Sequence, residues 1–177
     1  MLVLGVDPGT AITGYGLVRQ SERGDQLEAI AYGAITTPPD WPMPTRLQKI
    51  YRELTALICE YHPTDGAVEE LFFSRNVKTA LAVGQARGVA LLALAEGGVA
   101  IHEYTPLQVK QSVVGYGRAE KAQVQELVKL LLGLESVPRP DDAADALAIA
   151  ICHLHSAHMA SLIESEPQSF HEEHEGH

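Results

Sequence analysis

The sequence predicts an α/β fold with a mixed five-stranded sheet flanked by helices. Three strand-like runs come first, at 2–6, 12–18 and 27–36, with the turn Gly24-Asp25 between the second and third. Consecutive strands joined by short turns are typical of an antiparallel meander. Two later apolar runs alternate with helical patterns, which is the arrangement of parallel strands joined by crossover helices.

The first strand is a short apolar run that reaches Asp7 and then the turn Pro8-Gly9. The second strand alternates, with the small residues Gly14 and Gly16 on one face. The third is rich in β-branched and small residues, which favour strands. The later elements are predicted in this order: helix 42–62, strand 66–71, helix 76–97, strand 99–104, helix 106–114, helix 119–134 and helix 141–155, the last capped by Asp141 or Asp142.

The net charge of −10 first argues against a nucleic-acid partner, because phosphate binding favours basic proteins. Half of this charge comes from five glutamates in 156–177, a segment without Lys or Arg. We therefore predict a folded domain over 1–157 and an acidic, His-containing, disordered tail over 158–177. The sequence shows neither a signal peptide nor an uncharged apolar stretch of about 18 residues, so we expect a cytoplasmic protein without membrane contact.

Acidic residues interrupt the apolar elements in three places. Asp7 ends the most apolar strand, the pair Glu69 and Glu70 lies in another, and Asp142 and Asp145 share one face of the last helix. Taken singly, Asp7 could be a turn residue, Asp142 an N-cap and Glu70 a structural neighbour. Together such acids repel one another unless a cation neutralises them, and all-oxygen ligands suit Mg²⁺ or Mn²⁺. Two such ions about 4 Å apart can activate a water for phosphodiester hydrolysis.

A zinc site is a weaker alternative in the last helix. Cys152, His153, His155 and His158 are close in sequence, and Cys152 and His155 share a face. The sequence lacks a second cysteine pair to complete a zinc pattern, which favours ordinary packing and surface histidines.

Five motifs in register resemble the bacterial Holliday-junction resolvases of the RuvC family, over about 1–157. These motifs are Asp7-Pro8-Gly9-Thr10 followed by Thr13-Gly14-Tyr15-Gly16, Ala67-Val68-Glu69-Glu70-Leu71-Phe72, Gly84-Gln85-Ala86-Arg87-Gly88, Gln108-Val109-Lys110-Gln111 and Asp142-Ala143-Ala144-Asp145-Ala146-Leu147-Ala148. The resemblance implies an RNase H-like fold, a homodimer and four metal-binding acids per subunit. By motif, these acids are Asp7, Glu69, Asp142 and Asp145, holding Mg²⁺ or Mn²⁺, with two ions per subunit expected.

The resemblance also implies roles for basic and aromatic residues. Lys110 and Lys121 are similar to the lysines that contact the scissile region, and we count them with the catalytic residues. The expected DNA-binding residues are Phe72, Phe73, Arg75, Asn76, Lys78, Lys110, Arg118 and Lys121. Aromatic side chains beside an arginine suit stacking on unpaired bases, although the two phenylalanines could equally pack in the core or a dimer interface.

The activity implied by the resemblance is that of a crossover junction endodeoxyribonuclease in homologous recombination and DNA repair. It would resolve four-way DNA junctions by paired symmetric nicks that leave 5′-phosphate and 3′-hydroxyl ends. A two-fold dimer presents identical sites to two strands related by the same symmetry. The family also implies the RuvA and RuvB branch-migration proteins as partners. The long helix 76–97, with its small residues, is a candidate dimer surface, although those residues could instead allow close packing on the sheet.

Three other functions remain open at this stage. A sugar kinase or actin-like ATPase also opens with an acidic strand turn, but it needs two such domains. A junction-binding module without catalysis would not need the complete set of acids. A related nuclease that processes ribosomal RNA precursor is disfavoured by the motifs around Lys110 and Asp142.

Overall fold

The computed structural model describes residues 1–70 and 77–165. The described residues form five strands and five helices. In chain order, these are β1 (Leu2–Asp7), β2 (Ile12–Gln20), β3 (Leu27–Thr36), α1 (Met43–Tyr61), β4 (Asp65–Glu69), α2 (Val77–Glu96), β5 (Ala100–Tyr104), α3 (Pro106–Val114), α4 (Lys121–Leu131) and α5 (Asp141–Ser165).

The five strands form one sheet in the order β3-β2-β1-β4-β5. The pairs β1–β2 and β2–β3 are antiparallel, whereas β4 pairs in parallel with both β1 and β5. The predicted mixed sheet, with a meander followed by parallel strands, is confirmed. Because β1 and β4 run in the same direction, their carboxyl ends meet at one edge of the sheet, where Asp7 and Glu69 lie.

The two faces of the sheet bury different helices. Val3, Val18 and Ala67 belong to the hydrophobic cluster of α3, α4 and α5, whereas Leu4 and Val68 belong to the cluster of α1 and α2. Side chains alternate between faces along a strand. Val3 and Asp7 are therefore on the same face of β1, as Ala67 and Glu69 are on β4. The strand periodicity directs both acids toward α5.

Helix α5 packs unusually close to β1 and β2 through glycines. A Cβ atom on Gly5 would lie 2.1 Å from the carbonyl oxygen of Ala146, and one on Gly14 would lie 2.0 Å from the carbonyl oxygen of Asp142. Any side chain at either position would push the helix off the sheet. Because Gly14 pairs with Asp7 across β1 and β2, this close approach also sets the first turn of α5 beside Asp7.

The ends of α5 differ from the prediction. Asp141 and Asp142 lie inside its first turn rather than at the cap position, and the carbonyl of Pro140 accepts from the N–H of Ala143 at 3.0 Å. Acids in a first turn still interact favourably with the helix dipole. At the other end the helix continues from the predicted His155 to Ser165, through residues that had been assigned to the tail. This stretch contains no proline or glycine to stop a helix.

Two helices are long and apolar enough to cross a membrane when only length and composition are considered, Val77–Glu96 and Asp141–Ile163. Half of the second window is buried, because α5 is the central helix of one core. Core helices of soluble proteins pass the same test, so this observation is weak evidence for a membrane.

Candidate functional site

A cleft of about 220 Å³ opens where the carboxyl ends of β1 and β4 face α5. Asp7 and Glu69 enter it from the sheet, and Asp145 enters from α5. Glu70 follows the strand and is exposed, and its backbone N–H donates to the carbonyl of Tyr104 at 2.8 Å. Of the two adjacent glutamates, it is therefore Glu69 that lines the cleft.

Asp142 lies one turn before Asp145 on α5, above Gly14. It is not among the described residues that line the cleft, but its charge raises the pKa of Asp7. The structure thus brings all four predicted acids close enough together for the charges of the other three to act on Asp7. The neighbouring Asp141 forms an ion pair with Arg139 and lies 3.8 Å from the ammonium of Lys121.

The two predicted lysines reach the same cleft from the short helices α3 and α4. Lys110 lines the cleft, and α3 is fixed at its start by a capping box: the Gln108 N–H donates to Thr105 Oγ1 at 3.1 Å, and the Thr105 N–H donates to Gln108 Oε1 at 2.8 Å. Lys121 is the first residue of α4, and its Nζ donates to Asp145 Oδ2 at 2.8 Å. Both cations therefore face the acids from outside the sheet.

The acids strongly perturb one another. Burial, together with the charges of Glu69, Asp145 and Asp142, raises the pKa of Asp7 to about 7, against a partial opposing effect of Lys121. Burial and the charge of Asp145 also raise the pKa of Glu69, although Lys110 and Lys121 lower it. The pKa of Asp145 is raised mainly by burial. Ionisation of these acids is therefore unfavourable in the cleft, and the two lysines offset this effect only partly.

The donor set fits hard divalent cations. It offers carboxylate oxygens alone, half-buried and mutually repelling, which is the chemistry that Mg²⁺ and Mn²⁺ prefer. The acids are nevertheless spread out. Among the described residues, the one group of three or more metal-ligating side chains within 4.8 Å of one another is Asp65, His102 and His153, and it includes none of the four acids.

The predicted DNA contacts fall into three groups. Phe72, Phe73, Arg75 and Asn76 lie outside the described residues. Arg118 is exposed between α3 and α4, and Lys78 is exposed in the first turn of α2. Lys78 and Arg118 thus lie on the surface, whereas Lys110 lines the cleft and Lys121 is ion-paired with Asp145.

Arg87 was not singled out as a site residue from the sequence. Its Nε donates to the backbone carbonyl of Glu69 at 3.3 Å, and its guanidinium forms an ion pair with Glu103 on β5. The Arg87 side chain is 19% exposed, whereas the Glu103 side chain is 43% exposed. Arg87 therefore holds the end of β4 in place from α2. The available signal was an arginine in the middle of a largely apolar helix, within the motif Gly84-Gln85-Ala86-Arg87-Gly88.

The weaker zinc alternative in α5 is not supported. Cys152 is buried in the core, and His155 Nδ1 lies 3.1 Å from the carbonyl of Ser112. His153 instead faces Asp65 and His102 on the sheet.

A family model, "Crossover junction endodeoxyribonuclease RuvC", matches residues 3–153. The protein of that name from Syntrophomonas wolfei is 61% identical over 165 residues, which is 93% of this chain and 95% of that protein. The solved Thermus thermophilus RuvC structure has a TM-score of 0.84 and 38% identity, covering 90% of this chain and 97% of that one.

A second Thermus thermophilus RuvC structure, in complex with a Holliday junction substrate, has a TM-score of 0.83 and 35% identity. It covers 91% of this chain and 98% of that chain. The match to the family model runs from the first strand to the middle of α5 and includes Asp7, Glu69, Lys110, Lys121 and Asp145, which line the cleft. The chain belongs to the RuvC family of crossover junction endodeoxyribonucleases.

Proposed function

We propose that this protein cuts four-way DNA junctions by metal-dependent hydrolysis of phosphodiester bonds, in recombination and repair. The observation that carries the proposal is the cleft in which Asp7, Glu69 and Asp145 meet Lys110 and Lys121. Family membership and the solved complex of a relative with a Holliday junction support the choice of substrate.

Asp7, Glu69, Asp142 and Asp145 are the residues that would hold the ions, which we propose to be Mg²⁺ or Mn²⁺, two per subunit. The raised pKa values of Asp7, Glu69 and Asp145 support this assignment, because bound cations would offset both the burial and the mutual repulsion that raise them. When bound, such ions activate a water for attack on the phosphorus and stabilise the leaving oxygen.

The protein's own residues orient and stabilise the reacting groups. Asp7 and Glu69 are fixed by the sheet, and Asp142 and Asp145 by a helix pressed against that sheet, so the four carboxylates keep one geometry. Lys110 and Lys121 place positive charge where negative charge grows on the phosphoryl oxygens in the transition state. The bond to the 3′ oxygen breaks, which leaves a 3′-hydroxyl and a 5′-phosphate.

The DNA would approach over the basic surface beside the cleft. Lys78 and Arg118 are proposed to contact the sugar-phosphate backbone together with Lys110 and Lys121. Phe72, Phe73, Arg75 and Asn76 complete the proposed interface from the segment outside the described residues.

Paired nicks require two sites related by symmetry, and we propose a homodimer. Helix α2 supports this proposal because one side of it is apolar and exposed: the exposed fractions of Val77, Leu81 and Leu92 are 78%, 64% and 51%. Its opposite side packs through the buried Ala86, Ala90 and Ala93. The small residues of α2 therefore serve packing within the subunit, and the larger apolar residues are the ones free to meet a second copy.

We further propose that the protein acts in the cytoplasm with RuvA and RuvB. The nuclease domain would occupy 1–157, followed by an acidic segment over 158–177 that begins as the end of α5.

The direct test is cleavage of a synthetic mobile four-way junction across a series of metal ions, with linear duplex and RNA–DNA hybrid as controls. We expect paired symmetric nicks in the junction with Mg²⁺ or Mn²⁺, and little cutting of either control. Equal cutting of the RNA–DNA hybrid would favour a different nuclease of this fold. Junction binding without cutting in any metal would refute the enzymatic proposal.

A further inference from the structure

We propose a second metal site in this protein, formed by Asp65, His102 and His153, that takes a zinc-like divalent ion. The three side chains come from β4, β5 and α5, and one ligand atom from each lies within 4.8 Å of the others. The site is separate from the nuclease cleft. Asp65 precedes Glu69 by four strand residues, about 13 Å, and His153 follows Asp145 by eight helical residues, about 12 Å.

The buried histidine supplies the strongest observation. His153 is 4% exposed, and its Nε2 has no hydrogen-bond partner among the described residues. That nitrogen lies 3.5 Å from Asp65 Oδ1. A buried polar atom without a partner is costly, and a cation between it and the carboxylate would remove that cost.

The spacing of the ligand atoms suits tetrahedral coordination. Asp65 Oδ1 lies 3.1 Å from His102 Nε2 and 3.5 Å from His153 Nε2. A tetrahedral zinc ion with bonds of about 2.0–2.1 Å separates its ligand atoms by about 3.4 Å. The two imidazole rings are stacked, with centroids 4.1 Å apart. Binding would require the His102 ring to turn toward the ion, and this side chain, 40% exposed, has room to do so.

Two of the atoms that do not face the proposed ion already have partners. His153 Nδ1 lies 2.7 Å from the hydroxyl of Tyr104, and Asp65 Oδ2 accepts from Thr64 Oγ1 at 2.7 Å. If His153 Nδ1 donates to Tyr104, the Nε2 lone pair faces the carboxylate, ready for a metal. Such outer contacts fix the ring tautomer and the orientation of metal ligands.

The protonation states are also favourable. Burial and the nearby His102 lower the pKa of His153, which keeps its imidazole neutral near pH 7. Although burial opposes ionisation of Asp65, hydrogen bonds from Thr64 and His102 leave its pKa below the ordinary value. Two imidazole nitrogens and one carboxylate form a donor set that selects zinc-like ions, in contrast to the all-oxygen set in the cleft.

The proposed ion would tie α5 to β4 and β5. These elements carry Asp145 and Glu69, so the second site would stabilise the scaffold of the cleft without touching the DNA substrate. A fourth coordination position would remain for water, as in other zinc sites with three protein ligands.

The test measures Zn²⁺ binding to the full, metal-stripped chain by calorimetry, together with the ¹⁵N shifts of the histidine side chains. His102→Gln removes the exposed ligand and leaves the buried one in place, and His158→Gln is the matched control on α5. We expect Zn²⁺ to shift the His102 and His153 ring nitrogens. We also expect His102→Gln to weaken this binding at least about tenfold, while His158→Gln leaves it unchanged.

Asp7→Asn separates the two sites, because it should weaken metal binding in the cleft and leave Zn²⁺ binding at His102 intact. Unchanged Zn²⁺ affinity in His102→Gln would overturn the proposal, as would shifts confined to other histidines. None of these readouts depends on nuclease activity, so the proposal can fail while the proposed nuclease function stands.

Discussion

The carbonyl oxygen of Asp142 leaves no space for a side chain on Gly14, because a Cβ atom on Gly14 would lie 2.0 Å from that oxygen. Gly14 pairs with Asp7 in the sheet, so one backbone contact brings together acids from β1 and α5.

Replacing Gly14 with alanine should therefore displace the start of α5. The clash is with backbone, which cannot turn aside as a flexible side chain can. We expect Gly14→Ala to lower the free energy of unfolding by about 1–3 kcal/mol and to reduce junction cleavage more than junction binding. Gly88→Ala is the matched control for the free energy of unfolding, because nothing lies within 4 Å of its Cβ position and alanine favours helix. Cleavage by Gly14→Ala at the wild-type rate would contradict this role of Gly14.

The raised pKa of Asp7 makes a pH-dependent prediction for the metal-free protein. Its pKa is about 7 in the folded chain, against an ordinary value of 3.8, so folding favours the protonated acid. The contribution of this protonation to the free energy of unfolding is fully present below about pH 4 and is lost as the pH rises through 7. In EDTA, Asp7→Asn should be more stable than the wild type at pH 8, by on the order of 2 kcal/mol, and nearly equal to it at pH 4.

Urea unfolding at several pH values measures this difference. Asp25→Asn, in the exposed turn between β2 and β3, is the control and should show no comparable trend. A pH-independent effect of Asp7→Asn would mean that burial and the neighbouring acids do not raise the pKa of Asp7 in the folded protein.

Lys121 partly neutralises the negative charge of the acids, because its Nζ donates to Asp145 Oδ2 at 2.8 Å. Lys121→Gln should reduce the single-turnover cleavage rate by about 100-fold while leaving junction affinity within a few fold, because its charge matters most in the transition state. Lys129→Gln changes a lysine on the same helix that pairs with Glu126 instead. A similar loss in that control would show that only the general positive charge of α4 matters.

Arg87 should act as a positioning residue through the carbonyl of Glu69. We expect Arg87→Met to destabilise the protein by about 1–3 kcal/mol, since it leaves the Glu69 carbonyl and the Glu103 carboxylate without their partner. It should also raise the Mg²⁺ concentration needed for half-maximal cleavage. Glu103→Gln retains the contact to Glu69 and should leave the Mg²⁺ requirement unchanged. An unchanged Mg²⁺ requirement in Arg87→Met would assign Arg87 to stability alone.

Patterns local in sequence predicted much of the site. The period of two along β1 and β4 places Asp7 and Glu69 on the face of α5, and the spacing of three places Asp142 and Asp145 on one side of that helix. Carboxylates in apolar elements were informative because burial without a cation is costly.

Contacts between segments that are distant in the sequence could not be predicted from such local patterns. Arg87 reaches Glu69 from a different helix, and His153 meets Asp65 and His102 across the space between a helix and a sheet. The sequence grouped His153 with Cys152, His155 and His158, but the structure places His153 beside Asp65 and His102 instead. The end of α5 was also misplaced, because helical propensity continued after the buried pattern had stopped.

The most direct test of the central claim compares Asp7→Asn and Glu69→Gln with Glu70→Gln in single-turnover cleavage of a four-way junction with Mg²⁺. The first two variants each remove one charge from the cleft, whereas the third removes a charge from the exposed neighbour of Glu69. We expect cleavage to be lost in both cleft variants, with junction binding retained, and to be near the wild-type rate in Glu70→Gln. Cleavage by Asp7→Asn at the wild-type rate would contradict the account.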